Sequence, residues 1–192
     1  TLLAFEWSNP NTLGPMTTQD KVLSALFASV SARTAGFNSI DIGGLTHESL
    51  GLHYFLMFIG GGSAGTAGGV KVGTAMILAL LVIAEIRGRT DTEAFGRRIS
   101  PSSQRQAITV LVLGSAMVVV GTLFILRTTD IATDKVIFEV ISAFGTVGLS
   151  TGITAALPES AQLMLALLMY VGRVGTITLA ASLALGEHRM PY

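Results

Sequence analysis

Apolar residues fall along this chain in blocks of unequal length, set apart by short polar or glycine-rich stretches. Two blocks are long enough to cross a bilayer. Residues 107–126, at about 1.5 Å of rise per residue, reach the roughly 30 Å of a hydrocarbon core. Residues 162–185 are as long but carry Arg173 in their middle. Residues 52–59 are too short to span and residues 72–86 are marginal. Between these two runs Gly60-Gly61-Gly62-Ser63-Ala64-Gly65-Thr66-Ala67-Gly68-Gly69. Glycine costs about 1 kcal/mol per residue in a helix relative to alanine. The pattern therefore predicts one span over 52–86, broken in its middle. Such breaks are tolerated where the backbone lines a cavity or is buried in protein.

Two shorter blocks, 22–30 and 136–144, cannot span. Each is opened by Asp-Lys-Val, at Asp20 and Asp134, and the aspartate is expected to cap a short helix. Such helices dip into the membrane and return. Arg87, Arg89, Arg97, Arg98 and Arg105 lie between the broken span and the next, which makes that segment cytoplasmic. Counting spans puts residues 127–135 outside and the tail with Glu187, His188 and Arg189 inside. Both short helices then enter from the outer face. Residues 1–7 are read as the tail of a membrane helix whose start is missing, with Trp7 at the interface.

Composition agrees with a membrane protein. Half of the residues are apolar and only 12% are charged, against about a quarter in soluble domains; mean hydropathy is +0.64. Zero net charge removes the electrostatic case for a nucleic-acid partner. The absence of cysteine excludes disulfides and thiolate metal sites. No nucleophilic triad, carboxylate pair or metal cluster points to an enzyme.

The chain repeats itself. A shift of 112 residues lays Thr34 on Thr146, Gly36 on Gly148, and Leu56-Met57-Phe58-Ile59-Gly60 on Leu168-Met169-Tyr170-Val171-Gly172. The Asp-Lys-Val triplets are offset by 114, so the first short helix is expected to be about two residues longer. Both copies run in the same direction. Outer helix, short helix, loop, inner helix is the unit, and such units ring a pore. In register, Gly61 falls on Arg173.

The duplicated Thr34-Ala35-Gly36-Phe37 and Thr146-Val147-Gly148-Leu149 are expected to turn backbone carbonyls toward a dehydrated cation, as a selectivity filter does. Thr34, Ala35, Thr146 and Val147 would supply the carbonyls, and Gly36 and Gly148 would take backbone angles closed to other residues. The bland reading is two unrelated turns, which the duplication disfavours. The glycine run fails the phosphate-loop pattern and is read as a flexible intramembrane gate below the filter. Small residues for tight helix packing are its plainer reading. Lys71 caps the following helix or snorkels. Arg173 is read as an electrostatic barrier beside that gate, or else as a structural partner of Glu139. Glu139 itself hydrogen-bonds filter backbone or pairs with an arginine. Arg33 braces the first filter loop or is a vestibule charge. His47, His53 and His188 are surface or packing residues.

Ser31-Ala32-Arg33-Thr34-Ala35-Gly36-Phe37-Asn38-Ser39, the run ending Gly68-Gly69-Val70-Lys71, Phe144-Gly145-Thr146-Val147-Gly148-Leu149-Ser150, and Gly172-Arg173-Val174-Gly175 together resemble the Ktr/Trk/HKT potassium transporter superfamily, most closely the bacterial KtrB-type membrane subunit. The resemblance implies an all-α membrane protein of membrane–pore–membrane repeats with re-entrant pore helices and a broken inner helix. Residues 1–86 correspond to a third repeat with its first helix truncated, 87–105 to a cytoplasmic basic loop, and 106–192 to a fourth repeat. It implies potassium uptake, stimulated by sodium, with the filter at Thr34, Ala35, Gly36, Thr146, Val147 and Gly148. The gate falls on Gly61, Gly62, Gly65, Gly68, Gly69, Lys71 and Arg173. It further implies a multi-pass protein of the cell inner membrane, surrounded by lipid, forming a homodimer docked on a cytosolic ring of nucleotide-binding RCK subunits. The rivals are a non-conducting membrane scaffold and a secondary transporter of an organic substrate.

Overall fold

In the computed structural model, residues 1–62, 68–88, 92–94 and 97–186 are described, the last of these as backbone alone beyond residue 175. Gly65 and the tail 187–192 lie outside the described residues, as does Arg89. The order is α1 (Leu2–Glu6), α2 (Thr18–Ser31), α3 (His47–Phe58), α4 (Val72–Ile86), β1 (Glu93–Ala94), β2 (Arg97–Arg98), α5 (Pro101–Thr128), α6 (Thr133–Gly145) and α7 (Glu159–Gly186). Strands β1 and β2 form a small antiparallel hairpin within the basic segment; the rest of the regular structure is helical. Among the described residues one helix, α5, is long and apolar enough to cross a membrane.

The repeat is visible in the backbone. Helices α2 and α6 are followed by 3₁₀ turns at Ile42–Gly44 and Thr154–Ala156, which are 112 residues apart, as are the first residues of α3 and α7. The aspartates do not cap the short helices. Thr17 caps α2, its hydroxyl accepting from the Asp20 N–H at 3.3 Å. Ala132 precedes α6 with no side-chain cap. An aspartate inside the first turn has its own N–H to satisfy, and Thr17 stands three residues back where a capping oxygen reaches. The length difference is also smaller than expected: α2 has 14 residues and α6 has 13.

Two helices occupy the stretch read as one interrupted span. Helix α3 ends at Phe58 and α4 starts at Val72. Between them Ile59 and Val70 meet in a parallel bridge, with Gly60 N–H on the Val70 carbonyl at 2.8 Å and Val70 N–H on the Phe58 carbonyl at 3.2 Å. Helix α7 runs through Arg173 without interruption.

The core gathers on α6, which packs against α3, α5 and α7. Phe138 is fully buried and meets the His53 and Tyr54 rings at about 6 Å. Helices associating in lipid gain little from apolar burial and depend on close packing. Small residues provide it on α5: a Cβ on Gly114 would sit 3.1 Å from the Phe144 ring, and one on Gly121 2.7 Å from Leu168. The buried Glu6 carboxylate accepts from Asn9, Thr12 and both the N–H and hydroxyl of Thr46, tying the end of α1 to the cap of α3.

Candidate functional site

The two Thr-X-Gly loops leave the C-terminal ends of α2 and α6 and meet. A Cβ on Gly148 would lie 3.3 Å from the Gly36 Cα, and one on Gly36 would lie 2.6 Å from the Val147 carbonyl oxygen. Gly36 has φ +74° and Gly148 φ +90°. The threonines are the surprise. Thr34 has φ +71° and Thr146 φ +52°, and they are the positive-φ residues other than glycine among the described residues. A β-branched residue in that region is strained, at about 1–3 kcal/mol each. Propensity argues against it, so residue-type reasoning could not have found it. In both loops φ alternates in sign, positive at the threonine and glycine and negative at Ala35 and Val147. Such alternation sends successive peptide dipoles to one side of the chain instead of to opposite sides.

Each loop is held by its own short helix. The Ala35 N–H donates to the Ser31 carbonyl at 3.2 Å, and the Val147 N–H to the Ser142 carbonyl at 2.9 Å. The Ser31 hydroxyl donates to the Phe37 carbonyl. The Ser142 hydroxyl donates to the Leu149 carbonyl at 2.6 Å. A gapless shift of 112 pairs Ser31 with Ala143, so the sequence repeat hides this equivalence by one residue. Arg33 is exposed and makes no bond to the loop, so it is not the brace.

Glu139 is buried and faces the chain just beyond the second loop. Its Oε1 accepts from the Ser150 hydroxyl at 2.6 Å and the Thr151 N–H at 2.9 Å, and its Oε2 from the Thr154 hydroxyl at 2.9 Å. Glu139 and Arg173 both line a cavity of about 820 Å³ with Thr146, Gly148, Met169 and Tyr170. Hydroxyls and a backbone N–H already occupy the carboxylate.

Gly68 and Gly69, the last residues of the glycine run, lie against the base of the second loop. Gly68 N–H donates to the Thr146 hydroxyl at 2.9 Å, and Gly69 N–H to the Gly172 carbonyl at 3.3 Å. Gly172 itself leaves no room for a side chain, because a Cβ there would collide with the Phe144 carbonyl. Lys71 is the N-cap residue of α4 without a side-chain cap bond, and it lies within electrostatic reach of Arg173. The structure thus brings Gly68, Gly69, Thr146, Gly172 and Arg173 together; across the break the Gly61 carbonyl accepts from the Val72 N–H at 3.4 Å, and a Cβ on Gly62 would meet nothing within 4 Å. His53 is buried, with Nδ1 on the Ser49 carbonyl at 2.8 Å, and His47 is exposed beside Asp134 at 3.4 Å.

Residues 3–187 match the family model described as TrkH, cation transport protein. The chain belongs to this family of cation transport proteins. The family is one of transporters, not enzymes. Among its members, a Ktr system potassium uptake protein B from Vibrio alginolyticus is 38% identical over 95% of this chain and 40% of its own length. The protein of that name from Bacillus subtilis is 37% identical over 97% of this chain and 42% of its own. The potassium/sodium uptake protein NtpJ of Enterococcus hirae is 40% identical over 94% and 41%. The chain therefore spans about two-fifths of the length of the curated relatives it matches. The crystal structure of the potassium transporter TrkH from Vibrio parahaemolyticus superposes with a TM-score of 0.74 at 22% identity, over 94% of this chain and 40% of that one, which shows a shared, mostly helical membrane fold.

Proposed function

We propose that this chain supplies two of the repeats that wall a potassium-conducting passage, residues 1–86 and 106–192, joined by a cytoplasmic basic loop at 87–105. Helices α2 and α6 are re-entrant pore helices, and α3 and α4 are the halves of a broken inner helix. Carbonyls at Thr34, Ala35, Thr146 and Val147 replace the water of a passing potassium ion, and Gly36 and Gly148 let the loops approach. Potassium is the cargo and sodium stimulates its uptake. The relatives named as potassium uptake proteins support this cargo.

One observation carries the reading. Two equivalent threonines hold the same strained, left-handed backbone in loops that touch. Strain persists where it is used. Two ordinary turns would place glycine or asparagine there. Filter carbonyls need the unusual angles, because alternation of φ aligns them.

The glycine run, with Gly61, Gly62, Gly65, Gly68, Gly69 and Lys71, is the gate, and Arg173 is the fixed charge beside it. The contacts of Gly68 with Thr146 and of Gly69 with Gly172 support a segment lying directly under the loops. The protein is multi-pass in the cell inner membrane, dimeric, and docked through its cytoplasmic face on a ring of nucleotide-binding RCK subunits.

The test is growth and ion uptake of potassium-uptake-deficient cells expressing the protein. Gly36→Ser and Gly148→Ser should each abolish growth at limiting potassium and lower potassium preference over sodium, with normal amounts of protein in the membrane. Growth equal to wild type for both variants would return the loops to mere turns and favour a non-conducting scaffold.

A further inference from the structure

We infer that Ser31 and Ser142 are positioning residues that fix which carbonyls each loop offers to the ion, an inference that rests on the filter reading above. Ser31 Oγ also accepts the Phe37 N–H at 3.1 Å; beyond that, each serine grips its loop in the same two ways. Its carbonyl accepts from the N–H of the middle residue, Ala35 or Val147. Its hydroxyl donates to the carbonyl of the residue after the glycine, Phe37 or Leu149.

Peptide planarity turns these bonds into directions. The N–H of Ala35 and the C=O of Thr34 belong to one trans peptide and point opposite ways. Drawing the Ala35 N–H toward Ser31 therefore sends the Thr34 carbonyl away from the short helix. The same holds for Val147 N–H and the Thr146 carbonyl over Ser142. This is the first carbonyl presented. At the other end the serine hydroxyl withdraws the Phe37 or Leu149 carbonyl toward the helix, which ends the run. One residue thus sets both limits of each coordinating stretch, the first through its main chain and the second through its hydroxyl.

The setting suits the task. Ser31 and Ser142 are almost fully buried, at 2% and 3% exposure. A buried serine spends its single donor where it is held. Its neighbours on α6, among them Ile141 and Ala143, offer no alternative donor for Leu149. Arg33, the nearest charged candidate in the first repeat, is exposed.

The experiment compares potassium and sodium uptake in cells expressing Ser31→Ala, Ser142→Ala, the near-isosteric Ser142→Cys and, in parallel, Gly148→Ser. Uptake is normalised to protein in the membrane. Losing the serine hydroxyl's bond to the Phe37 or Leu149 carbonyl corresponds to a drop of roughly tenfold in potassium preference over sodium for each alanine variant. The cysteine variant, with its weak S–H donor, should fall between. If the alanine variants do not reach the membrane, the cysteine variant decides. Unchanged preference in the variants that reach the membrane, or equal loss of both fluxes, overturns the proposal. Should Gly148→Ser alter preference while the serine variants do not, the brace fails and the filter stands. Should neither alter it, the reading beneath fails as well.

Discussion

The Thr146 side chain stands between the second loop and the glycine run. Its backbone is strained, and its hydroxyl receives the buried Gly68 N–H at 2.9 Å. Valine has the same shape without the acceptor. Thr146→Val should leave that N–H unpaired, at a cost of about 1–3 kcal/mol. If the run is a gate held against the loop, this cost loosens the closed arrangement. Basal rubidium uptake should then rise by about tenfold, since about 1.4 kcal/mol is a factor of ten. Thr146→Ser keeps the hydroxyl and should stay near wild type. Equal basal uptake in all three proteins would separate the hydroxyl from gating. Little at this scale was legible beforehand. Glycines advertise positive φ, but a left-handed threonine contradicts its own propensity. Ser31 and Ser142 were hidden because α2 and α6 differ in length by one residue, which a gapless comparison cannot absorb.

Elements were easier to read, because hydrophobic period and glycine content act over many residues at once. The repeat, both short helices and the break between α3 and α4 follow from them. Caps do not, since they depend on single residues: Asp20 looked like a cap, yet Thr17 holds that position. Glu6 escaped for a related reason, as its Thr46 partner lies 40 residues away, whereas Glu139 was read as bonding backbone near the loop and accepts the Thr151 N–H. The contrast between the inner helices has a functional side. Where the first copy breaks, the second, α7, continues and carries Arg173 into the cavity shared with Thr146 and Gly148. A cation about 8 Å from a passing potassium ion opposes it by about 2 kcal/mol at an effective dielectric near 20. Arg173→Ala should therefore raise potassium flux several-fold, up to about thirtyfold, with preference over sodium retained. Flux measured in proteoliposomes at matched protein density checks this, and an unchanged rate would leave Arg173 a structural role only.

For the molecule as a whole, the decisive question is which way it faces. The chain has no cysteine, so introduced thiols report their own exposure without background. In intact cells a membrane-impermeant maleimide should label Arg33→Cys, which is exposed at the loop end of α2, and spare Arg98→Cys in the basic hairpin. Permeabilisation should make the second site reactive. The reverse pattern would invert the topology and place both loops on the inner side. Exposed apolar side chains along α5, including Val112, Val119 and Leu123, suit a surface that meets lipid acyl chains. The proposed orientation rests on five arginines in the sequence, whereas the gathering of the core on α6 was not legible, because it depends on which faces three separate helices turn to one another.

The bridge between Ile59 and Val70 has a consequence for how such a protein can move. The chain comes back to itself there, so the gap between the half-helices is set by a seam of backbone bonds and not by the number of residues in between. On the gate reading proposed above, these bonds would hold the facing ends of α3 and α4 together while the gate works between them. A gate so held would open and close without rearranging annular lipid.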